Sequence, residues 1–137
     1  MLVNGAGWGK TQRFWEGTPE FWNKLIALNF VGPMLLTKAL LPRMMERSSG
    51  RIVNIASDAG RVGSLGETAY SGAKGGLIAF TKSLARETAL YKINVNCVCP
   101  GPPTRRCSPR CPRATSRPSR RRSRCAASPS PRRLPTP

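Results

Sequence analysis

Histidine is absent from this 137-residue sequence, and acidic residues are scarce. Without an imidazole, proton transfer has to use other side chains, such as Tyr, Lys or a carboxylate. The five Cys residues form no C-x-x-C pair, and their spacings fit no common zinc finger. We therefore expect neither a metal site nor a disulfide framework. The length suits one small domain and not two.

Long apolar runs are also lacking. The longest uncharged apolar-rich stretch, residues 25–37, is shorter than the roughly 18 residues that a membrane-spanning helix needs, and it contains Asn29 and Pro33. The first residues, Met1-Leu2-Val3, lack the basic region and apolar core of a secretory signal. We therefore expect a cytoplasmic protein that does not associate with membranes.

Positive charge is abundant but unevenly distributed. The chain has 23 Lys and Arg against 6 Asp and Glu, a net charge of +17. Residues 1–104 carry a net +6, whereas residues 105–137 hold 11 Arg and no acid. Ten of the 13 Pro residues lie at or after Pro100. This contrast predicts a folded piece, residues 1–102, and an Arg/Pro/Ser-rich tail, residues 103–137, whose low apolar content predicts disorder.

The folded piece alternates strand and helix patterns. Residues 2–3 end a strand, Thr18-Pro19-Glu20 starts a helix that Pro33 and Pro42 interrupt, and about 70–91 form a second helix. Strands are expected at 51–56, apolar enough to be buried on both faces, and at 93–99, with a loop over 58–67. This order predicts a parallel α/β sheet with right-handed crossovers.

Ligands of such sheets bind beyond the carboxyl ends of the strands. Residues 4–7, Ser57 and residues 100–101 are expected at that edge. Tyr70 and Lys74 follow at i, i+4 spacing and so share one helix face. A Tyr hydroxyl is a poor base at neutral pH, but a nearby ammonium stabilises the phenolate, and a Ser hydroxyl can share charge on the substrate oxygen.

Five motifs in order make residues 2–101 resemble the short-chain dehydrogenase/reductase family. They are Asn4-Gly5-Ala6-Gly7, where the family has a second Asn in place of Gly5; the helix residue Asn29; the strand 50–57 that ends in Ser57; Tyr70-Ser71-Gly72-Ala73-Lys74; and the stretch from Asn94 to Pro100-Gly101. The resemblance implies a partial Rossmann-type doubly wound sheet.

The resemblance also implies reversible hydride transfer between NAD or NADP and an alcohol or ketone. Tyr70 would be the general acid/base, Ser57 would orient the substrate, and Lys74 and Asn29 would complete the catalytic set. The cofactor would be lined by residues at three motifs, namely Asn4, Ala6, Gly7, Tyr70, Lys74, Pro100 and Gly101. Family members are usually homodimers or homotetramers.

Residues 54–64 are similar to the 2-hydroxycyclohexanecarboxyl-CoA dehydrogenase type, and nearly as similar to 3-oxoacyl-carrier-protein reductases. Both types act on thioester-linked acyl groups. Compared with the family, the chain starts at what would be the fourth strand and lacks the Gly-rich turn that holds the cofactor pyrophosphate. We therefore predict an inactive, marginally stable fragment.

The tail departs from the family in a different way. After Pro-Gly the family usually continues Pro-Thr-Asp-Thr-Pro-Leu-Phe, whereas residues 102–108 read Pro-Pro-Thr-Arg-Arg-Cys-Ser. Deleting one base from a GC-rich gene for the first sequence produces the second, so we predict a frameshift from about Pro103 onward. The alternative is a genuine basic arm, which would make this a nucleic-acid-binding protein through phosphate contacts. An accidental tail would still bind nucleic acid non-specifically.

Overall fold

The computed structural model describes residues 1–101; the predicted tail lies outside the described residues. Three parallel strands form one sheet in the order β1 (Leu2–Asn4), β2 (Gly50–Ile55) and β3 (Ile93–Val98). Asn4 is paired with Asn54, which is paired with Cys97. The predicted parallel α/β arrangement is confirmed for this part of the chain.

Helices connect the strands. They are α1 (Pro19–Ile26), a π-helical segment (Ala27–Val31), α2 (Gly32–Glu46), α3 (Ala59–Val62) and α4 (Thr68–Glu87), with 3₁₀ turns at Phe14–Glu16 and Ala89–Tyr91. Helix α1 begins as the sequence predicts. The Thr18 hydroxyl accepts a hydrogen bond from the Phe21 amide at 3.3 Å, and Pro19 occupies the first helical position, where no N–H is needed.

Two expectations about this region are wrong. Pro42 does not interrupt its helix, because α2 continues through it to Glu46. Pro42 is exposed and lies near the end of the helix, so only one backbone hydrogen bond is lost there, at a water-accessible position. The expected loop after Ser57 also contains the one-turn helix α3.

The helices cover one face of the sheet. The core on that face includes Met44 from α2, Leu84 from α4, and Ile52, Ile93 and Val95 from the strands. Along β2, the alternate side chains Arg51, Val53 and Ile55 are exposed or only half-buried. The expectation that this strand is buried on both faces is therefore wrong within residues 1–101, because none of the helices there covers its second face.

Polar side chains connect the strands and helices within the covered layer. The Asn4 amide donates to Asn54 Oδ1 at 2.8 Å and to Thr37 Oγ1 at 3.3 Å. The Asn54 amide donates in turn to Thr81 Oγ1 at 2.9 Å, and the Thr81 hydroxyl donates to the Leu77 carbonyl at 2.7 Å. This ladder joins α2, β1, β2 and α4, so it fixes the register of the helices on the sheet.

The continuous helical stretch Pro19–Glu46 is long and apolar enough to cross a membrane by length and composition, with a mean hydropathy of 1.6 in its most apolar window. Its polar residues Asn29 and Thr37 are buried and hydrogen-bonded to the chain. Only 22% of that window is buried, and the buried polar residues lie on the face that packs against the rest of the described chain. One such helix is weak evidence for a membrane span.

Candidate active site

Asn29 lies fully buried in the middle of the π-helical segment. Its side-chain amide donates to the Trp8 carbonyl at 2.6 Å and to the Leu25 carbonyl at 2.9 Å, and its Oδ1 accepts from the Trp8 amide at 3.3 Å. Single π-helical turns are frequent at functional sites. Here the turn places the Asn29 side chain so that it binds both the N–H and the carbonyl of Trp8.

Lys74 is buried on α4, with 3% of its surface exposed. Its ammonium donates to the carbonyl of Ile55, near the end of β2, at 2.9 Å, and it lies 5.7 Å from the centroid of the Tyr70 ring. Burial lowers the pKa of Lys74, because the charged form is desolvated, while the nearby Cys97 opposes that shift. An ammonium has three N–H donors. With one donor on Ile55, Lys74 can bind further oxygen atoms.

Gly7 is where these two side chains meet. A Cβ built on Gly7 would lie 3.1 Å from Asn29 Oδ1 and 3.2 Å from Lys74 Nζ. The absence of a side chain at Gly7 therefore allows the loop after β1 to approach both groups. Asn29 and Lys74 are therefore both close to one backbone position, that of Gly7.

Ser57 and Tyr70 line a cavity of about 550 Å³ at the carboxyl ends of the strands. The Ser57 hydroxyl accepts a hydrogen bond from the Ala59 amide at 3.2 Å, which holds it at the start of α3. The Asp58 amide donates to the Pro100 carbonyl at 2.9 Å and so joins the loops after β2 and β3. Ser57 and Tyr70 thus border one cavity at the edge of the sheet where the topology predicted a site.

Close packing of α3 on α4 forms the back of this site. A Cβ on Gly60 would lie 2.7 Å from the Gly75 backbone nitrogen and 2.7 Å from the Lys74 carbonyl carbon. No side chain can occupy that space without a shift of the backbone. Gly60 therefore fixes the distance between the Ser57 loop and the helix that bears Tyr70.

The predicted site residues fall into three groups. Five line the large cavity, namely Gly7, Ser57, Tyr70, Pro100 and Gly101. Asn29 and Lys74 lie directly behind it. Asn4 and Ala6 line a separate 170 Å³ cavity beside β1, and the Asn4 side chain belongs to the buried ladder. The structure therefore places the predicted catalytic residues around one cavity and two of the predicted cofactor residues outside it.

Several other cavity residues have no role in the sequence-based site. Trp8 lines the cavity and packs edge-on against Phe21, with ring centroids 5.8 Å apart. Asp58 and Glu67 also line it. Their position next to Ser57 and shortly before Tyr70 is the one sequence signal that points to them. Phe14 does not line this cavity; its ring stacks on that of Trp22, with ring centroids 4.7 Å apart.

Comparison with known proteins gives consistent matches over the same region. The family model for short chain dehydrogenases matches residues 1–106. An acetoacetyl-CoA reductase of Shinella zoogloeoides is 46% identical over 101 residues, which are 74% of this chain and 42% of that protein. A 3-oxoacyl-[acyl-carrier-protein] reductase of Synechocystis is 44% identical over 101 residues, 74% of this chain and 41% of that protein.

Among solved structures, a tyrosine-to-phenylalanine variant of ElxO with NADPH bound aligns with a TM-score of 0.71 and 33% identity. The alignment covers 73% of this chain and 41% of that one. The chain thus spans about two fifths of the length of these relatives. The family model covers well over half of the chain, and the described fold and motifs agree with it. The chain belongs to the short-chain dehydrogenase family.

Proposed function

We propose that this chain carries the catalytic centre of an NAD(P)-dependent oxidoreductase that interconverts an alcohol and a ketone. The observation that carries the proposal is that Ser57, Tyr70 and Gly7 line one cavity, and that a Cβ on Gly7 would lie within 3.2 Å of both Asn29 Oδ1 and Lys74 Nζ. Tyr70 and Lys74 share α4, whereas Ser57 follows β2 and Asn29 lies in the π-helical segment, so three parts of the chain that are distant in sequence contribute to the site.

The residues present suit the nicotinamide and ribose end of a dinucleotide. Gly7 leaves the room beside Lys74 that a side chain would fill, and the Lys74 ammonium has donors left for ribose hydroxyls. Pro100 and Gly101 bound the same cavity. When bound, the cofactor supplies or accepts the hydride. The relative with NADPH bound supports this choice of cofactor class.

The side chains of this chain then handle the proton and the substrate oxygen. Tyr70 gives its phenolic proton to the carbonyl oxygen in reduction and takes it back in oxidation. Ser57 donates a hydrogen bond to the same oxygen and stabilises the charge that develops there. The Lys74 ammonium, 5.7 Å from the Tyr70 ring centroid, stabilises negative charge on the phenolate.

We further propose that the carbonyl substrate is a 3-oxoacyl thioester. The support is the similarity to an acetoacetyl-CoA reductase and a 3-oxoacyl-[acyl-carrier-protein] reductase.

A homo-oligomer is proposed as well. The π-helical segment and α2 expose a set of apolar side chains that a second copy could cover, including Leu28, Val31, Leu35, Leu36 and Leu40.

The 137-residue chain assayed by itself is proposed to be inactive. Val53 and Ile55 lie on the uncovered face of the sheet in the described part of the chain, and the match spans about two fifths of the relatives. A purified sample given NADH or NADPH and acetoacetyl-CoA should show no turnover that depends on Tyr70. Turnover that Tyr70→Phe abolishes would disprove the inactivity and support the chemistry.

A chimaera tests the chemistry independently of the chain's own activity. Residues 1–101 replace the matching segment of the Shinella acetoacetyl-CoA reductase, and NADPH-dependent turnover is measured. We expect an active chimaera that loses at least about a hundredfold in kcat on Tyr70→Phe, the usual scale of a lost general acid. Tyr91→Phe, outside the cavity, is the matched control. A folded chimaera that binds NADPH but is inactive, or indifferent to Tyr70→Phe, would refute the proposal.

A further inference from the structure

The 550 Å³ cavity contains negative charge that the proposed reaction does not use. Asp58 and Glu67 both line it. Among residues 1–101, no Lys or Arg side chain lines the same cavity. The ammonium of Lys74 lies behind Gly7 and is held on the Ile55 carbonyl. Within the described part of the chain, Asp58 and Glu67 are therefore the charged residues that line the cavity, and the Lys74 ammonium is the nearby positive charge, 5.7 Å from the Tyr70 ring centroid.

The two carboxylates differ in how far they are neutralised. Asp58 Oδ1 accepts a hydrogen bond from Arg61, its ion-pair partner, at 3.1 Å. Glu67 has no basic side chain within 4.0 Å in the described part of the chain. Glu67 is half-buried at the start of α4, three residues before Tyr70. Lys10 and Arg13 line a second, much smaller cavity with Glu67 but form no ion pair with it, so the Glu67 charge is the less neutralised of the two.

Apolar residues line the same cavity as Glu67, namely Trp8, Val62 and Pro100. Charges interact more strongly beside apolar walls than in open water, because less solvent is available to screen them. Trp8 is held in place through its backbone by Asn29, so this wall is fixed.

We propose that Glu67 determines substrate specificity by selecting uncharged carbonyl compounds, such as ketones, esters and thioesters, over free oxo acids that carry their own carboxylate. The proposal rests on the proposed function, since it assumes that the substrate carbonyl binds between Ser57 and Tyr70. A carboxylate on a short 3-oxo acid would then lie close to Glu67 and be repelled. Esterification removes the charge and the repulsion.

The expected size of the effect follows from Coulomb's law. Two like charges about 6 Å apart in a partly solvated cavity change a binding constant by about tenfold. Acetoacetate and ethyl acetoacetate are suitable probes because they share the 3-oxo group and differ in the charge. Binding is followed on the 137-residue chain by NMR, through the amide signals of Gly7 and Gly101, so that binding elsewhere on the chain is not counted.

In the parent chain, ethyl acetoacetate should bind at least about tenfold more tightly than acetoacetate. Glu67→Gln should reduce this ratio to about two- to threefold, and Glu46→Gln, exposed at the end of α2, should leave it unchanged. Raising the salt concentration should reduce the parent ratio without any substitution.

Equal binding of the two probes in the parent chain would overturn the proposal, as would a ratio that Glu67→Gln does not change. A parent chain in which neither probe shifts the cavity amides would overturn it too. The outcome is distinct from that of the chimaera. Selective binding together with an inactive chimaera would refute the proposed reaction and leave the selectivity in place. An active chimaera that is indifferent to Glu67→Gln would refute the selectivity alone.

Discussion

The single methyl group added by Gly7→Ala tests whether Gly7 is the meeting point of the site. The new Cβ would lie 3.1 Å from Asn29 Oδ1 and 3.2 Å from Lys74 Nζ, closer than a methyl group normally approaches polar atoms. The φ angle of Gly7 lies outside the left-handed region, so alanine is compatible with the backbone there. Any cost therefore comes from these two contacts.

Lys74 should be the side chain that moves. Asn29 is held by three hydrogen bonds, to Trp8 and Leu25, whereas Lys74 is held by one, to Ile55. Losing a hydrogen bond from a charged donor costs about 1.5–3 kcal/mol. The lower entropy of the unfolded alanine chain offsets about 0.4–1 kcal/mol of that cost. The free energy of unfolding should fall by about 1–2 kcal/mol, and Tm by about 4–16 °C for a domain of this size.

Thermal and urea unfolding, followed by circular dichroism, measure this change. Gly72→Ala is the matched control, since Gly72 lies on α4 and its Cβ would meet nothing within 4 Å. That substitution should stabilise the chain by about 0.5–1 kcal/mol through helix propensity. A Gly7→Ala chain as stable as the parent would refute the packing argument. An unchanged loss in a Lys74→Met background would show that Asn29 moves instead.

Three further predictions concern buried polar groups. Burial lowers the pKa of Lys74, so the folded chain binds that proton less tightly than the unfolded chain does. The free energy of unfolding should therefore rise as pH increases toward 10.5. Lys74→Met should remove that rise in urea melts. Burial raises the pKa of the Cys97 thiol, so the free energy of unfolding should fall as pH rises above 9.0. Cys97→Ala should remove that fall. The variant with both Lys74→Met and Cys97→Ala separates the two opposed pH dependences. Asn54→Leu should lower the free energy of unfolding by about 2–4 kcal/mol, because it leaves its buried hydrogen-bond partners Asn4 and Thr81 unpaired. Asn96→Leu, on the exposed face of β3, should change that free energy little. The midpoint of urea unfolding, at an unchanged m value, measures both changes.

Local patterns predicted a large part of the fold and of the site. The Thr18 cap and the Tyr70–Lys74 spacing each depend on one or two turns of helix, where sequence spacing determines geometry. The position of Ser57 follows from the parallel sheet, because all strands end at the same edge. These features were correct since each depends on near neighbours in the chain or on the topology alone.

The rest depends on contacts between distant parts of the chain. The sequence pattern of β2 is the same whether one or two faces are covered, so the uncovered face with Val53 and Ile55 could not be predicted from it. Asn4 belongs to the same sequence motif as Gly7, yet it ends β1, and its side chain donates a hydrogen bond to Asn54, 50 residues away. Trp8 is an ordinary surface aromatic by its sequence neighbours, and its place in the cavity depends on Asn29.

Asn29 shows why the type and position of a residue in the sequence do not by themselves predict the contacts that its side chain makes. In a regular α-helix the Leu25 carbonyl accepts the backbone N–H of residue 29. Here it accepts the Asn29 side-chain amide at 2.9 Å, and the Gly32 N–H reaches back five residues to the Ala27 carbonyl. The side chain thus competes with the helix backbone for the same acceptor, which favours the wider turn. That turn directs the remaining donor and acceptor of Asn29 to Trp8, so the helix distortion and the fixed cavity wall have one cause.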